Sequence, residues 1–265
     1  DRGRYYEKSG ALRGMVQNHM LQMVALLAME PPIKLTTDEI RSEKVKVLRA
    51  LRAVAEDEVS QYFVRGQYGA GQLEDKQLVA YRDENNVDDD SQTETYVAGK
   101  LFSWAGVPFY ISTGKRMAAK STKIVVQFKD IPMNLYYKKG ETVPPNLLII
   151  HIQPEEGITL QLNAKKDEDE SGISKPVKLD LSNNFLDGIN TPEAYEKLIY
   201  DCMRGDATNF THWDEVALSW SFVDPISEAW TKGKAALASY PSGSMGPKEA
   251  DELLKEDGNQ WWPVN

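Results

Sequence analysis

A chain of 265 residues, 41% apolar and 27% charged, can bury a sizeable core in one or two domains and has the balance of an ordinary soluble globular protein. Its formal net charge of -9 argues against nucleic-acid and anionic-membrane partners, which need a concentrated positive field. An anionic metabolite stays open, because a small ligand needs only a local cluster of cations. A first helix is expected from about Ser9 to Met29, stopped by Pro31 and Pro32, which cannot continue the helical ladder. Leu12, Met15, Val16, Met20, Met23, Val24 and Leu27 recur along it at the spacing of a buried stripe, and His19 falls on that stripe. The apolar run Met20–Met29 is about half the length a membrane span needs, and the N-terminus carries no signal-peptide pattern.

A second helix should start at Thr36, which has capping-box spacing to Glu39, and run to about Glu56. Residues 69–93 then turn polar, with Gly69, Gly71 and the acidic run Asp88-Asp89-Asp90, and read as a long surface excursion. From Thr95 to Leu181 the pattern becomes that of strands. Val107–Ser112, Thr122–Lys129, Asn146–Gln153, Gly157–Ala164 and Val177–Leu181 are joined by short polar links without helical stretches, so the sheet should be largely antiparallel. Lys165–Glu170 reads as a solvated turn. Helix returns at Thr191-Pro192-Glu193, where a Thr cap precedes a first-turn Pro and an acid. Cys202, the single cysteine, excludes an intrachain disulfide framework and a cysteine-rich zinc site, fits a reducing cytoplasm and reads as a small buried apolar residue. A last helical stretch, Trp213–Lys232, should bend or break near Pro225. The fold class expected is α+β, a large mostly antiparallel sheet with helices packed on one face, without internal repeats or low-complexity segments.

On pattern alone His19 has two readings, a core histidine satisfied by neighbours or a titratable group placed for chemistry. A dinucleotide-binding unit, with a glycine-rich turn between a strand and a helix, has no match. Gly66-Gln67-Tyr68-Gly69-Ala70-Gly71 has its glycines in the wrong order and reads as a loop.

A set of ordered segments decides the matter further. The run Tyr5-Tyr6-Glu7-Lys8-Ser9-Gly10-Ala11-Leu12-Arg13-Gly14-Met15-Val16-Gln17-Asn18-His19, then Tyr62-Phe63-Val64-Arg65-Gly66-Gln67-Tyr68, Thr93-Glu94-Thr95-Tyr96-Val97-Ala98, Thr113-Gly114-Lys115-Arg116-Met117, Gln153-Pro154-Glu155-Glu156-Gly157 and Gly243-Ser244-Met245-Gly246-Pro247 resemble the C-terminal domain of the glucose-6-phosphate dehydrogenase family. The resemblance covers nearly the whole chain and implies one substrate-binding and oligomerisation domain over residues 1–265. It implies oxidation of glucose 6-phosphate to 6-phosphogluconolactone with NADP as hydride acceptor, in the cytoplasm, by a homodimer or homotetramer assembled through the sheet.

By the same resemblance, His19 is the general base, Lys115 and Lys120 are substrate-phosphate contacts, and Gln153 matches a position near the sugar. Gly14 stands where the family usually has an Asp that accepts hydrogen bonds from sugar hydroxyls, so weak substrate binding is expected. Between Leu101 and Trp104 related sequences carry several more residues, so either a short loop or an omitted piece is expected there. Met245 and His151 replace two Arg residues of a second, structural coenzyme site in mammalian members, and no such site is expected. NADP should be bound mainly by a domain absent from this chain, which would then be a fragment or split subunit and inactive alone. The competing class is a non-catalytic homologous domain retained for assembly or weak sugar-phosphate binding.

Overall fold

The computed structural model describes residues 3–104, 107–130, 143–165, 174–182 and 194–262. The chain divides into two compact units, Asp1–Ala118 with Pro192–Trp261, and Ala119–Thr191 with Trp262–Asn265.

The expected first helix is three consecutive segments: α1 (Gly3–Ala11), a π-helical stretch Leu12–Met20, and α2 (Leu21–Ala28). Next comes α3 (Thr37–Ala50), which stops earlier than Glu56, and Thr36 makes no side-chain cap bond despite its spacing to Glu39. After the single-turn α4 (Val59–Tyr62) the chain enters β1 (Phe63–Gly69), whose second half, Gly66 to Gly69, falls in the run expected as a loop. Gly66 serves close packing there: a Cβ on it would touch Pro247, Tyr240 and Tyr96 at 3.3–3.4 Å. The polar excursion is more ordered than expected. It holds a hairpin, β2 (Gly71–Leu73) with β3 (Lys76–Leu78), and a 3-10 turn, Tyr81–Asp83. Tyr81 is fully buried, edge-on to Tyr68 at 5.4 Å, so one aromatic anchors a segment that composition marks as surface.

Two long antiparallel strands follow, β4 (Tyr96–Trp104) and β5 (Val107–Gly114). Residues 101–104, where a short loop or an omitted piece was expected, form the end of β4. The second unit then supplies β6 (Thr122–Gln127), β7 (Leu147–Gln153), β8 (Gly157–Lys165) and β9 (Ser174–Ser182), a four-stranded antiparallel sheet in sequence order. The expected turn at Lys165–Glu170 and the helix start at Thr191 fall largely outside the described residues. Returning to the first unit, α5 (Ala194–Arg204) carries an exposed Cys202, against the expectation of a buried one. Then α6 (Trp213–Thr231) runs unbroken through Pro225. Last come β10 (Leu237–Pro241) and α7 (Lys248–Lys255).

The α+β class therefore holds, with mixed and antiparallel sheets. The first unit's sheet has the order β10-β1-β4-β5, antiparallel except for the parallel pair of β1 with β10. Its core gathers Leu12, Val16, Leu21, Phe63, Val97 and Ile226, all almost fully buried. Helix α6 contributes Phe222, Val223, Ile226, Ala229 and Trp230, a three- and four-residue spacing that explains why it forms where it does. In the second unit, one sheet face pairs Ile158 with Leu181, Leu160 with Leu179 and Leu162 with Val177. The other face buries Thr159 between His151 (3.0 Å) and Asp180 (2.6 Å).

Candidate functional site

The segment that carries Gly14 and His19 begins at a discontinuity. Gly10 adopts φ 62°, ψ -178°, a conformation natural only to glycine. The helix that restarts after it exposes backbone amides, as every helix start does. Glu94, just ahead of β4, receives two of them: its carbonyl oxygen accepts from the Ala11 N–H at 2.9 Å, and its Oε1 accepts from the Leu12 N–H at 2.9 Å. A Cβ on residue 10 would stand 2.2 Å from that carboxylate oxygen, so a side chain there and Glu94 exclude each other. Burial pushes the Glu94 carboxyl above its ordinary range, and the Leu12 amide, Arg65 and Arg13 pull it back only in part.

The following turns are wide. The Leu21 N–H bonds the Val16 carbonyl five residues back, the mark of a π-helix. The buried positions become Leu12, Val16, Leu21, Val24 and Ala25, and His19 leaves the buried stripe on which simple helical spacing had placed it. Its imidazole is exposed, which removes the reading of a satisfied core histidine. Beside it on the segment, Gly14 has room for a side chain: a Cβ would meet only Ser9 Oγ at 3.6 Å and the Tyr5 hydroxyl at 4.0 Å. Tyr5 and Ser9, with Arg4 and Lys8, line an open hollow of about 490 Å³.

Lys115 comes to the same segment from the turn after β5. Its ammonium lies 5.3 Å from the centre of the Tyr6 ring and 4.0 Å from the sulfur of Met15, the residue after Gly14. The turn is held on both sides, the Lys115 N–H donating to the Thr95 carbonyl (3.0 Å) and its carbonyl accepting from the Tyr240 hydroxyl (2.8 Å). Arg116 is a non-glycine residue at φ 55°, a strained conformation. Its carbonyl accepts from Gly243 N–H at 2.7 Å and its guanidinium donates to Glu84 at 2.9 Å, while Glu84 also accepts from Tyr68 at 2.7 Å. That carboxylate raises the Arg116 pKa. The strain is thus fixed by a half-buried ion pair directly beside Lys115.

Lys120 and Gln153 belong to the second unit. Lys120 is exposed two residues before β6, and Gln153 is exposed at the end of β7, paired in register with Thr122. His151 bonds Thr159 within the sheet, and Met245 is 53% exposed. Sequence reasoning missed Glu94, Tyr6, Glu84 and Arg116 as neighbours of these residues. No periodicity marks them, because each acts across the fold on a residue far away in the chain.

The described residues do not build a dinucleotide cradle. Gly66 and Gly69 lie in β1 and Gly71 opens β2, so no glycine-rich turn there leads from a strand into a helix. Nor is any group of His, Cys, Asp and Glu side chains among the described residues arranged to hold a metal ion.

Residues 1–262 match the family model described as glucose-6-phosphate dehydrogenase, C-terminal domain. The chain belongs to that family. It is 69% identical over its whole length to a glucose-6-phosphate 1-dehydrogenase of Bacillus subtilis, covering 55% of that protein, and 42% identical to one of Leuconostoc mesenteroides, covering 54%. A solved structure titled as glucose-6-phosphate dehydrogenase in complex with its substrate glucose-6-phosphate superposes with a TM-score of 0.86 at 31% identity, over 99% of this chain and 53% of that one. The chain therefore spans about half the length of the dehydrogenases it matches. No helix among its described residues is long and apolar enough to cross a membrane.

Proposed function

We propose that this chain is the substrate-binding and oligomerisation domain of an enzyme that oxidises glucose 6-phosphate to 6-phosphogluconolactone with NADP as hydride acceptor, the first step of the oxidative pentose phosphate pathway, in the cytoplasm. The observation that carries this reading is the 69% identity to the Bacillus subtilis dehydrogenase along the full chain. The coenzyme would be bound mainly by parts of the enzyme outside this chain.

Within the chain, His19 is the base. Oxidation at the anomeric carbon requires removal of the hydroxyl proton, and histidine ordinarily titrates close enough to neutrality to take it. An exposed imidazole on a helix whose opposite face is packed into the core is both reachable and rigidly mounted. Lys115 supplies positive charge for the dianionic phosphate, and its aromatic and thioether neighbours leave its ammonium less hydrated than a surface lysine. Lys120 is assigned to the phosphate and Gln153 to the sugar by resemblance. Assembly as a homodimer or homotetramer is proposed to run through the second unit's sheet, where Leu179 is 53% and Leu181 62% exposed.

A second reading, a non-catalytic homologous domain kept for assembly or weak sugar-phosphate binding, is favoured by Gly14, which leaves the sugar without the usual carboxylate. Both are tested in the full-length enzyme by His19→Asn, expected to lower kcat by about 10²–10⁴-fold with little change in KM for glucose 6-phosphate. An inactive parent, or a variant as active as the parent, would overturn the assignment of His19 as base.

A further inference from the structure

The sequence from Leu12 to Leu27 satisfies the spacing of an ordinary α-helix, and in that form His19, seven residues after Leu12, would face the core. The structure instead has a π-helix over Leu12–Met20, a form used rarely and in short pieces. Something outside the helix must select it. The selecting contact stands at its first turn, where Gly10 breaks α1 and Glu94 receives both the Ala11 and the Leu12 amides. A side chain at position 10 would collide with that carboxylate, whose Oε1 lies 2.2 Å from where a Cβ would stand.

We propose that Glu94 is a positioning residue for His19: it caps, from a distant part of the chain, the helix that carries the base, and so holds the wide turn that brings the imidazole to the surface. The inference rests on the reading of His19 as the base. Glu94 is itself held in place. Its next neighbour Thr95 is fully buried, with its N–H on the Gly66 carbonyl (2.8 Å), its Oγ1 accepting from the Tyr68 N–H (3.1 Å) and its carbonyl accepting from the Lys115 N–H (3.0 Å). One short stretch, Glu94-Thr95, therefore sets the start of the His19 helix with its first residue and the backbone of Lys115 with its second. The carboxylate also feels the charge of Arg65, whose guanidinium is fixed on the Ala235 carbonyl by two bonds (3.2 and 2.8 Å), and of Arg13, bonded to Ser227 at 3.2 Å.

What matters on this account is the reach of the acceptor oxygen. Glu94→Gln keeps an acceptor at the same distance, whereas Glu94→Asp keeps the charge and withdraws the oxygen by one methylene from the Leu12 amide. In the full-length enzyme, kcat of Glu94→Gln should stay within about fivefold of the parent, and that of Glu94→Asp should fall by about tenfold or more, since small displacements of a reacting group cost up to about a hundredfold. KM for glucose 6-phosphate should move less than kcat. A purely structural role would not predict the deciding result: combined with His19→Asn, Glu94→Asp should lower the residual kcat no further, because its effect passes through the imidazole. Losses that multiply in the double variant, or a Gln variant as impaired as the Asp one, would overturn the role of Glu94 alone. A His19→Asn enzyme with undiminished kcat would overturn the base assignment and this inference together.

Discussion

Gly14 stands on the helix that carries His19, and a Cβ there would meet only Ser9 Oγ at 3.6 Å and the Tyr5 hydroxyl at 4.0 Å, so the position has room for a side chain. Restoring a carboxylate there gives sugar hydroxyls a charged acceptor, which is worth about 1.5–3 kcal/mol, or roughly ten- to a hundredfold in affinity. Gly14→Asp in the full-length enzyme should accordingly lower the dissociation constant for glucose 6-phosphate by that factor in calorimetric titration. Unchanged affinity would show that the sugar is not bound on this side of the helix. At the same scale, the roles proposed for His19 and Lys115 come from motifs that resemble a family's. Their environments were not legible in the sequence. A half-buried stripe can be read from spacing, but the departure of His19 from it depends on Glu94, a residue 75 positions on whose role needs the fold to exist.

Helices and strands were legible to different degrees, for identifiable reasons. Alternation in the second unit located β6, β7, β8 and β9 to within a few residues, because a sheet with one apolar face writes its period into the chain. Caps were less readable. Thr36 and Glu39 have the pattern of a capping box, yet among the described residues the box forms at α6, where His212 Nδ1 accepts the Asp214 N–H (3.3 Å) and Glu215 accepts the His212 N–H (3.2 Å). Glu215 is drawn into that role by Lys44 of α3, 2.5 Å from its other oxygen, both side chains being buried. A buried pair that loses one member leaves an uncompensated charge, at a cost of about 3–5 kcal/mol. Glu215→Ala should lose about that much stability in denaturant unfolding, while Lys44→Met with Glu215→Leu should recover most of it. A single variant as stable as the parent would mean that the pair and its cap contribute nothing.

At the scale of the whole molecule, the class α+β followed from strands clustered between helical regions, but the division into two units did not, since no linker-like composition marks it. The apolar face formed by Ile158, Leu162, Val177, Leu179 and Leu181 belongs to the second unit, and none of these residues is part of the first unit's core. Leu179→Asp with Leu181→Asp should therefore reduce the sedimenting mass of the full-length enzyme by at least half. An unchanged mass would place the subunit contacts elsewhere. The strand pair least visible in the sequence, β1 with β10, joins segments whose contact between Arg65 and Ala235 spans 170 positions. A ribosome releases the chain from its N-terminal end, so β1 is made long before its parallel neighbour. At roughly 5–20 residues per second the interval is about ten to thirty seconds, during which one edge of β1 lies open to any stray strand. The four strands of the second unit's sheet, β6 to β9, are all made within that interval and can pair during it. The newborn protein is thus most vulnerable at β1, where a chaperone would have to shield a strand that is already made and not yet closed.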